Sequence, residues 1–543
     1  MKFRNRLITV LAAGALMATA PACTNLDEEL YSSIPADEYF TTPEELQAGI
    51  NPVYASLRSL YHHEDFWGFN QVSSDETIVP ARGGDWYDGG KWLQLNAHTW
   101  DANHPHLQRM WNNPYTGIAR ANSILELMQT AEQTPDVVAG QAEVRFLRGF
   151  YYYILMDMFG GVPVITASEH DGKSAPSTRA QVYEFIVTEL EGIKDQLPET
   201  PQYGRAGKAA AYAMLMKLYL NSGVYTSDGY NVSTPSAEAL QKVVEYAKVI
   251  EGMGYSLYSN YLDTFKLENE GSNKENIFTI TYIAQAGLGN HGNCWGMHYD
   301  TRKLIYDGKE VEVGAGHSQW NGFSVMPDHY DSFSDDDNRK SIFYTQFETV
   351  DGTVVEHTND VPLRDANKLQ GVRVLKWEID PKQPGIDWGG DGGTDFAVLR
   401  FADVLLMHAE AEARMGNDAE ALSIVNELRT QGGRFKADSP IADATAHMTA
   451  LSVADVTEFI LMERGWELCW EGVRRQDLIR YGKFLDAWQN KQMENDGASK
   501  TVDGEVVYLP SAGKPSDAAK RIVFPIPTVQ VSLNPNLNQS TGY

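Results

Sequence analysis

At 543 residues the chain can bury a large core, and 45 Lys plus Arg against 73 Asp plus Glu give a formal charge of −28. Such an acidic surface repels phosphate backbones and anionic headgroups, which argues against nucleic-acid partners. With 27 Tyr, 20 Phe and 12 Trp, the composition is that of a folded protein and not of an acidic disordered tail.

The chain opens on an address. Lys2, Arg4 and Arg6 precede an apolar stretch from Leu7 to Ala20, too short to span a bilayer comfortably, and small residues lead to Cys23. Residues 1–22 read as a signal peptide and 23–543 as a single domain. "APAC" fits acylation of the Cys23 thiol, which would hold the protein on a lipid surface at about 0.8 kcal/mol per buried CH₂. The alternative is ordinary cleavage at Ala20-Pro21-Ala22. Cys294 lies in a Gly-rich loop and Cys469 in an apparent helix, so the three cysteines form no disulfide framework.

Amphipathic periodicity predicts helices over 104–130, 180–196, 208–222, 237–251, 397–416, 418–430 and 454–481, and a broad apolar helix in "AEVRFLRGFYYYILMDMFGGVPVI" ending at Gly160-Gly161. Two blocks look alike. "KAAAYAMLMKLYLNSG" leads to "SAEALQKVVEYAKVI", and "FADVLLMHAEAEARMGN" leads to "DAEALSIVNELRTQG", the pattern of tetratricopeptide helix pairs or of two unrelated hairpins. Residues 255–395 show one strand pattern, "NIFTITYI", among many Gly, Asp and aromatic residues. The expected architecture is a mainly α helical scaffold (about 44–254 and 396–482) carrying a loop-rich face (about 60–103, 255–395 and 483–543), where function usually sits.

Most chemical motifs fail on context. "GLGNHG" follows a strand but precedes no helix that could face a pyrophosphate, and Lys208 of "GRAGKAAA" starts a helix. The thirteen His are scattered, with His62-His63 and His104-x-His106 the close pairs, and are expected to be solvated or packed in loops, so no metal is expected. "DSFSDDDNR" reads as a turn or cap. Glu463, Glu467 and Glu471 alternate with Arg464, Arg474 and Arg475, spacing that favours intrahelical scaffold pairs.

"SSDETIVPARGGDWYDGGKW" is different. A sugar ring offers C–H groups on one face and hydroxyls round its edge, so it wants an aromatic plate and polar partners beside it. Trp86, Tyr87 and Trp92 can supply plates, and Asp75, Arg82, Asp85 and Asp88 edge contacts. Trp86, between Gly-Gly-Asp and Tyr-Asp-Gly-Gly, is expected to stay accessible, whereas Trp92, Trp100 and Trp111 read as core. A second cluster places Cys294 and Trp295 near Trp320; Arg364, and beyond it Arg373, Trp377 and Trp388, are further candidates.

Five stretches resemble the SusD/RagB family of outer-membrane nutrient-binding lipoproteins of Bacteroidetes: Cys23 with "NLDEE", "AEVRFLRGFYYYILMDMFGGVPVI", "RFADVLLMHAEA", "ERGWELCWEGVRRQDLIRYGKF" and "FPIPTVQVSLNPNLNQSTGY". Gln530 stands where the family often has Glu, and Ser540-Thr541 where Asn-Pro is common. The resemblance implies a SusD-like fold with four tetratricopeptide-like helix pairs and minor β structure. It implies a lipoprotein anchored through acylated Cys23 in the outer membrane and facing the exterior, without catalysis or cofactor. Its partners would be a glycan ligand and a SusC-like TonB-dependent transporter, with ligand loops around Trp86, Trp295 and Trp320. A peptide-binding import lipoprotein of the same family and a surface glycoside hydrolase are the alternatives.

Overall fold

The computed structural model describes residues 40–267, 274–285, 287–313, 319–379, 392–485 and 518–543, with the backbone of strands Ser499–Val502 and Glu505–Tyr508. The signal peptide, Cys23 and Trp388 lie outside the described residues.

Helices dominate, with little strand. Thr134 caps helix Pro135–Phe159 by accepting from the Val137 amide, and proline at the first position suits the fixed φ that a helix start requires. This helix is apolar on almost every side because Leu107–Thr130 packs along one flank and Arg179–Ile193 along another. Helix Lys208–Leu220 is likewise buried all round, and its Ala209, Ala210, Ala211 and Ala213 let Ala237–Glu251 lie close. The two blocks that look alike in sequence both fold as packed helix pairs, Lys208–Leu220 with Ala237–Glu251 and Phe401–Arg414 with Asp418–Gln431. Ala237–Glu251 also packs on Phe401–Arg414, so the pairs join.

Two predicted helices differ from the structure. The stretch at 397–416 begins as strand Phe396–Arg400, antiparallel to Asn276–Ile280, and turns helical only at Phe401. Strand pairing wins there because most of "FAVLR" is buried. The stretch at 454–481 breaks into helices Val456–Glu467 and Arg474–Arg480. Trp470 (φ 69°) and Gly472 (φ 75°) adopt left-handed backbone in the turn between them, which is also where Cys469 lies. The Trp470 carbonyl accepts from the Trp67 indole at 3.0 Å, so the break is held from outside.

The loop-rich face carries small sheets. Lys303–Tyr306 is flanked by Lys309–Glu312 and Gln346–Glu348, and Val354–Glu356 closes the four-stranded sheet. Thr77–Ile78 pairs with Ser324–Val325, and Phe343–Tyr344 with Arg373–Val374.

Scaffold and face meet at a buried ionic network. The expected intrahelical pairs around Glu463 do not form; the partners come from distant segments. Glu463 receives Arg339 at 2.8 Å and Arg429 at 2.5 Å, and Glu467 receives Arg434 at 2.7 Å, Arg400 at 2.8 Å and Arg339 at 3.1 Å. Glu471 receives Lys376 at 2.5 Å and Arg400 at 2.8 Å. Glu275 and Asp337 complete the set through Arg400 and Arg339, so five carboxylates face five cations in a site closed to water. Burial alone would raise the Glu467 carboxyl, but Arg434, Arg400 and Arg339 hold it well below the usual range. A second group links Arg464 to Asp403 and Asp477, and Arg480 to Glu410 and Asp477.

Glu467→Ala removes one carboxylate from three buried guanidinium groups, and a loss of roughly 3–5 kcal/mol in urea unfolding is expected. Glu410 gives a pH signature. Burial raises its pKa, yet Arg480 and Arg414 outweigh this and draw it from 4.5 to about 2. Its contribution, on the order of 3 kcal/mol by linkage, is complete above the unfolded value and is lost as pH falls from there toward 2. Glu410→Gln should therefore flatten the acid limb of the stability curve in that window.

Candidate functional site

The segment that opens on Arg82 is a tight turn. Arg82 and Asp85 bridge across it, and Trp86 (φ 59°) and Asp88 (φ 46°) take left-handed backbone that the surrounding glycines accommodate. The Arg82 side chain turns inward. It donates to the carbonyls of Asn321 (3.0 Å), Gln370 (3.0 Å) and Asn367 and to Ser324 Oγ (3.1 Å), tying three loops together. Burial draws its pKa down to about 10, so it stays charged at neutral pH.

Trp86 is buried, with 9 % of its surface exposed, against the expectation of an accessible plate. The reason is Gly322. A Cβ there would lie 2.2 Å from the Trp86 ring, so the missing side chain is the slot into which the indole fits. The Trp86 indole N–H donates to the Trp320 carbonyl at 2.6 Å, which removes its need for water. Trp295 is 2 % exposed and packs on Trp67 at 4.6 Å and on His63 at 5.2 Å between ring centres. Tyr87 is buried with Ile78, Leu93, Met326 and Leu363, and Arg364 is buried beside it. Cys294 is buried, its carbonyl accepting from the Trp320 amide at 2.9 Å.

Other candidates are committed elsewhere. Asp75 accepts two hydrogen bonds from Arg474, at 2.7 and 2.9 Å, beside a separate small cavity. Asp88 is exposed but accepts from the Trp92 indole at 2.9 Å and pairs with Lys91 at 3.3 Å. Arg373 and Trp377 are buried, as are Trp92, Trp100 and Trp111, which are core.

What reaches the surface is a rim of half-buried rings above this stack: Trp320, His291, His62 and Tyr299. Trp320 faces His63 at 5.2 Å and His291 at 6.4 Å between ring centres. The Tyr299 hydroxyl donates to the exposed Asp85 carboxylate, and the Lys368 ammonium sits 5.4 Å over the Tyr299 ring. Burial and the Asp85 charge push the Tyr299 phenol well above its ordinary range, so it remains a protonated donor. Asp300 and Lys368 stand exposed beside it. Burial pulls His62 and His63 well below the ordinary imidazole value, so both rings are neutral. Such a shelf stacks against an apolar ring face and offers charged and neutral partners at its margin.

Of the predicted residues, the structure brings Trp86, Trp295, Trp320, Cys294, Arg82 and Asp85 into one neighbourhood and separates Asp75. Tyr299, His62, His291 and Lys368 were missed. Tyr299 lies four residues after Trp295 in "CWGMHYD", so the aromatic density was visible although the exposure was not. The histidines are mostly packed and not solvated: His63, His98, His104, His106, His298, His329, His357, His408 and His447 are all buried. Asp337 caps the turn Asn338–Ile342, as "DSFSDDDNR" implied. Gly322→Ala should expel the Trp86 ring, with a loss of about 1–3 kcal/mol in thermal unfolding and a shift of tryptophan emission to longer wavelength.

Residues 274–543 match the sequence model of the SusD family, and residues 26–220 match one described as starch-binding and associating with the outer membrane. SusD-like protein P2 of Formosa agariphila is 26% identical over 96% of this chain and 97% of its own length. The starch-binding protein SusD of Bacteroides thetaiotaomicron is 25% identical over 87% of this chain and 84% of its own. Among solved structures, a laminarin-binding SusD-like protein superposes with a TM-score of 0.68 at 22% identity, covering 92% of this chain and 99% of that one. A SusD homolog from Bacteroides thetaiotaomicron gives 0.71 at 22% identity, over 94% and 98%.

Proposed function

Since the chain belongs to the SusD family, we propose that it is a cell-surface lipoprotein that captures an oligo- or polysaccharide and delivers it to a SusC-like TonB-dependent transporter, without catalysis. In this reading residues 1–22 are removed, Cys23 carries the acyl chains, and 23–543 act as one domain on the outer face of the outer membrane. Support comes from relatives named for binding starch and laminarin, and from a family described as associating with the outer membrane.

The observation that carries the glycan reading is the shelf. Trp320 offers an indole at the surface whose backbone is fixed from both sides, its amide donating to Cys294 and its carbonyl accepting from Trp86. Tyr299 and Asp85, joined by a hydrogen bond, stand at its margin where sugar hydroxyls need partners. Trp86 and Trp295 support the platform from beneath, and Arg82 holds the loops that carry it. Tighter binding to the closed transporter complex than to the open one would let the ligand itself bias closure.

Titration of the protein lacking residues 1–23 against a panel of neutral and charged polysaccharides tests the reading by calorimetry and tryptophan emission. Saturable binding is expected, weakened roughly tenfold, or about 1.4 kcal/mol, by Trp320→Ala with melting temperature preserved. Unaltered affinity in Trp320→Ala would move the site away from this shelf, and silence across the panel would favour a peptide ligand.

A further inference from the structure

Below the aromatic stack, three donors converge from three segments. Glu76 precedes strand Thr77–Ile78, His329 sits in the short helix Pro327–Asp331, and Cys469 lies in the turn that follows helix Val456–Glu467. Their ligating atoms all lie within 4.8 Å of one another, and the residues are 1 %, 7 % and 0 % exposed. Glu76 Oε1 and His329 Nε2 are 4.0 Å apart, and both are buried without a hydrogen-bond partner. A buried polar atom left in this state costs about 1–3 kcal/mol, so two facing each other call for something between them.

We propose that Glu76, His329 and Cys469 bind one structural zinc ion. Zinc accepts carboxylate, imidazole and thiolate together, and bond lengths of 2.0–2.3 Å place such donors roughly 3.3–3.8 Å apart in a tetrahedron. The observed spacing reaches that with a small contraction. One carboxylate and one thiolate neutralise the dication, so the buried assembly carries no net charge. Burial raises both the Cys469 thiol and the Glu76 carboxyl, the latter to about 8, so both are mainly protonated in the apo protein at neutral pH and binding releases both protons to solvent.

The neighbouring charges leave room for the ion. Arg474 is engaged by Asp75 at 2.7 Å, and Lys376 by Glu471 at 2.5 Å. A cavity of about 160 Å³ lined by Asp75, His329, Ser332, Trp466 and Arg474 opens on the histidine side and can admit the ion and a fourth, water ligand. The consequence is mechanical. The Glu76 carbonyl already accepts from the Met326 amide at 2.8 Å, and its Oε2 accepts from the Trp470 amide at 3.3 Å. Zinc would add a third link at this junction and fasten the base of the ligand face to the helical scaffold.

The test uses cobalt(II) as a probe on chelator-treated mature protein. One equivalent should give tetrahedral d–d absorption and a thiolate-to-metal charge-transfer band, both displaced by zinc. Cys469→Ser should abolish the charge-transfer band and weaken zinc binding at least roughly a hundredfold, and zinc should raise the melting temperature of the wild type alone. Glu76→Gln, nearly isosteric, provides a second variant if Cys469→Ser fails to fold, and it too should weaken binding. A charge-transfer band that persists in Cys469→Ser would overturn the proposal. So would cobalt uptake without the band, or uptake abolished by His63→Ala, which would place the metal on His62, His63 and Glu64 instead. None of these readouts depends on glycan binding.

Discussion

Glu463 and Glu467, one helical turn apart, and Glu471 in the turn that follows form the row on which the two halves of the molecule close. Each is buried, and each is met by cations from elsewhere: Arg339 from the turn at 338–342, Lys376 from the loop-rich middle, Arg400 from the end of a strand, Arg429 from a scaffold helix and Arg434 from the turn after it. Aromatic faces surround them, with Arg400 over Phe265, Arg434 over Tyr261 and Arg429 over Phe435. A network of this kind adds little net stability over an apolar core of equal volume. Its force lies in exclusion. A guanidinium cannot be buried beside the wrong neighbour, so long loops with weak intrinsic structure can dock on the scaffold in only one arrangement.

The loop-rich face inherits its geometry from that docking. Its sheets are of two or four short strands, too small to stand alone, and they are held by side chains that point inward. Arg82 is the clearest case, a guanidinium whose donors are taken up by backbone and hydroxyl oxygen of two other loops. Above it the rings divide into a buried stack, with Trp67, Trp86, Trp92 and Trp295, and a half-buried rim of Trp320, Tyr299, His62 and His291. A rigid foundation lowers the entropy lost when a rim ring is stacked against a ligand.

The helical scaffold was legible because apolar spacing over a dozen residues leaves few alternatives, and the two Ala-Glu-Ala-Leu helices do sit in similar packed pairs. The breaks were not. Nothing in "ERGWELCWEGVRRQDLIR" marks a turn strongly except Gly472, and the helix ends because Trp470 is drawn toward Trp67, some four hundred positions earlier in the chain. The same holds for pairing. Spacings of three and four between Glu and Arg fit intrahelical pairs, but a carboxylate buried at a junction takes whichever cation is brought to it, and here these came from other segments.

The amino-acid sequence by itself determined that this is an acidic, helix-rich protein with an aromatic face, and which family it resembles, because composition and local periodicity act over a few turns of chain. Only the tertiary structure decided which aromatic rings remain at the surface. Trp86 sits among glycines and acids, the setting of an exposed ring, yet Gly322 opposite leaves a slot of indole width and the Trp320 carbonyl meets its N–H. Burial is a property of the facing surface, contributed from more than two hundred residues away, and no local pattern encodes it.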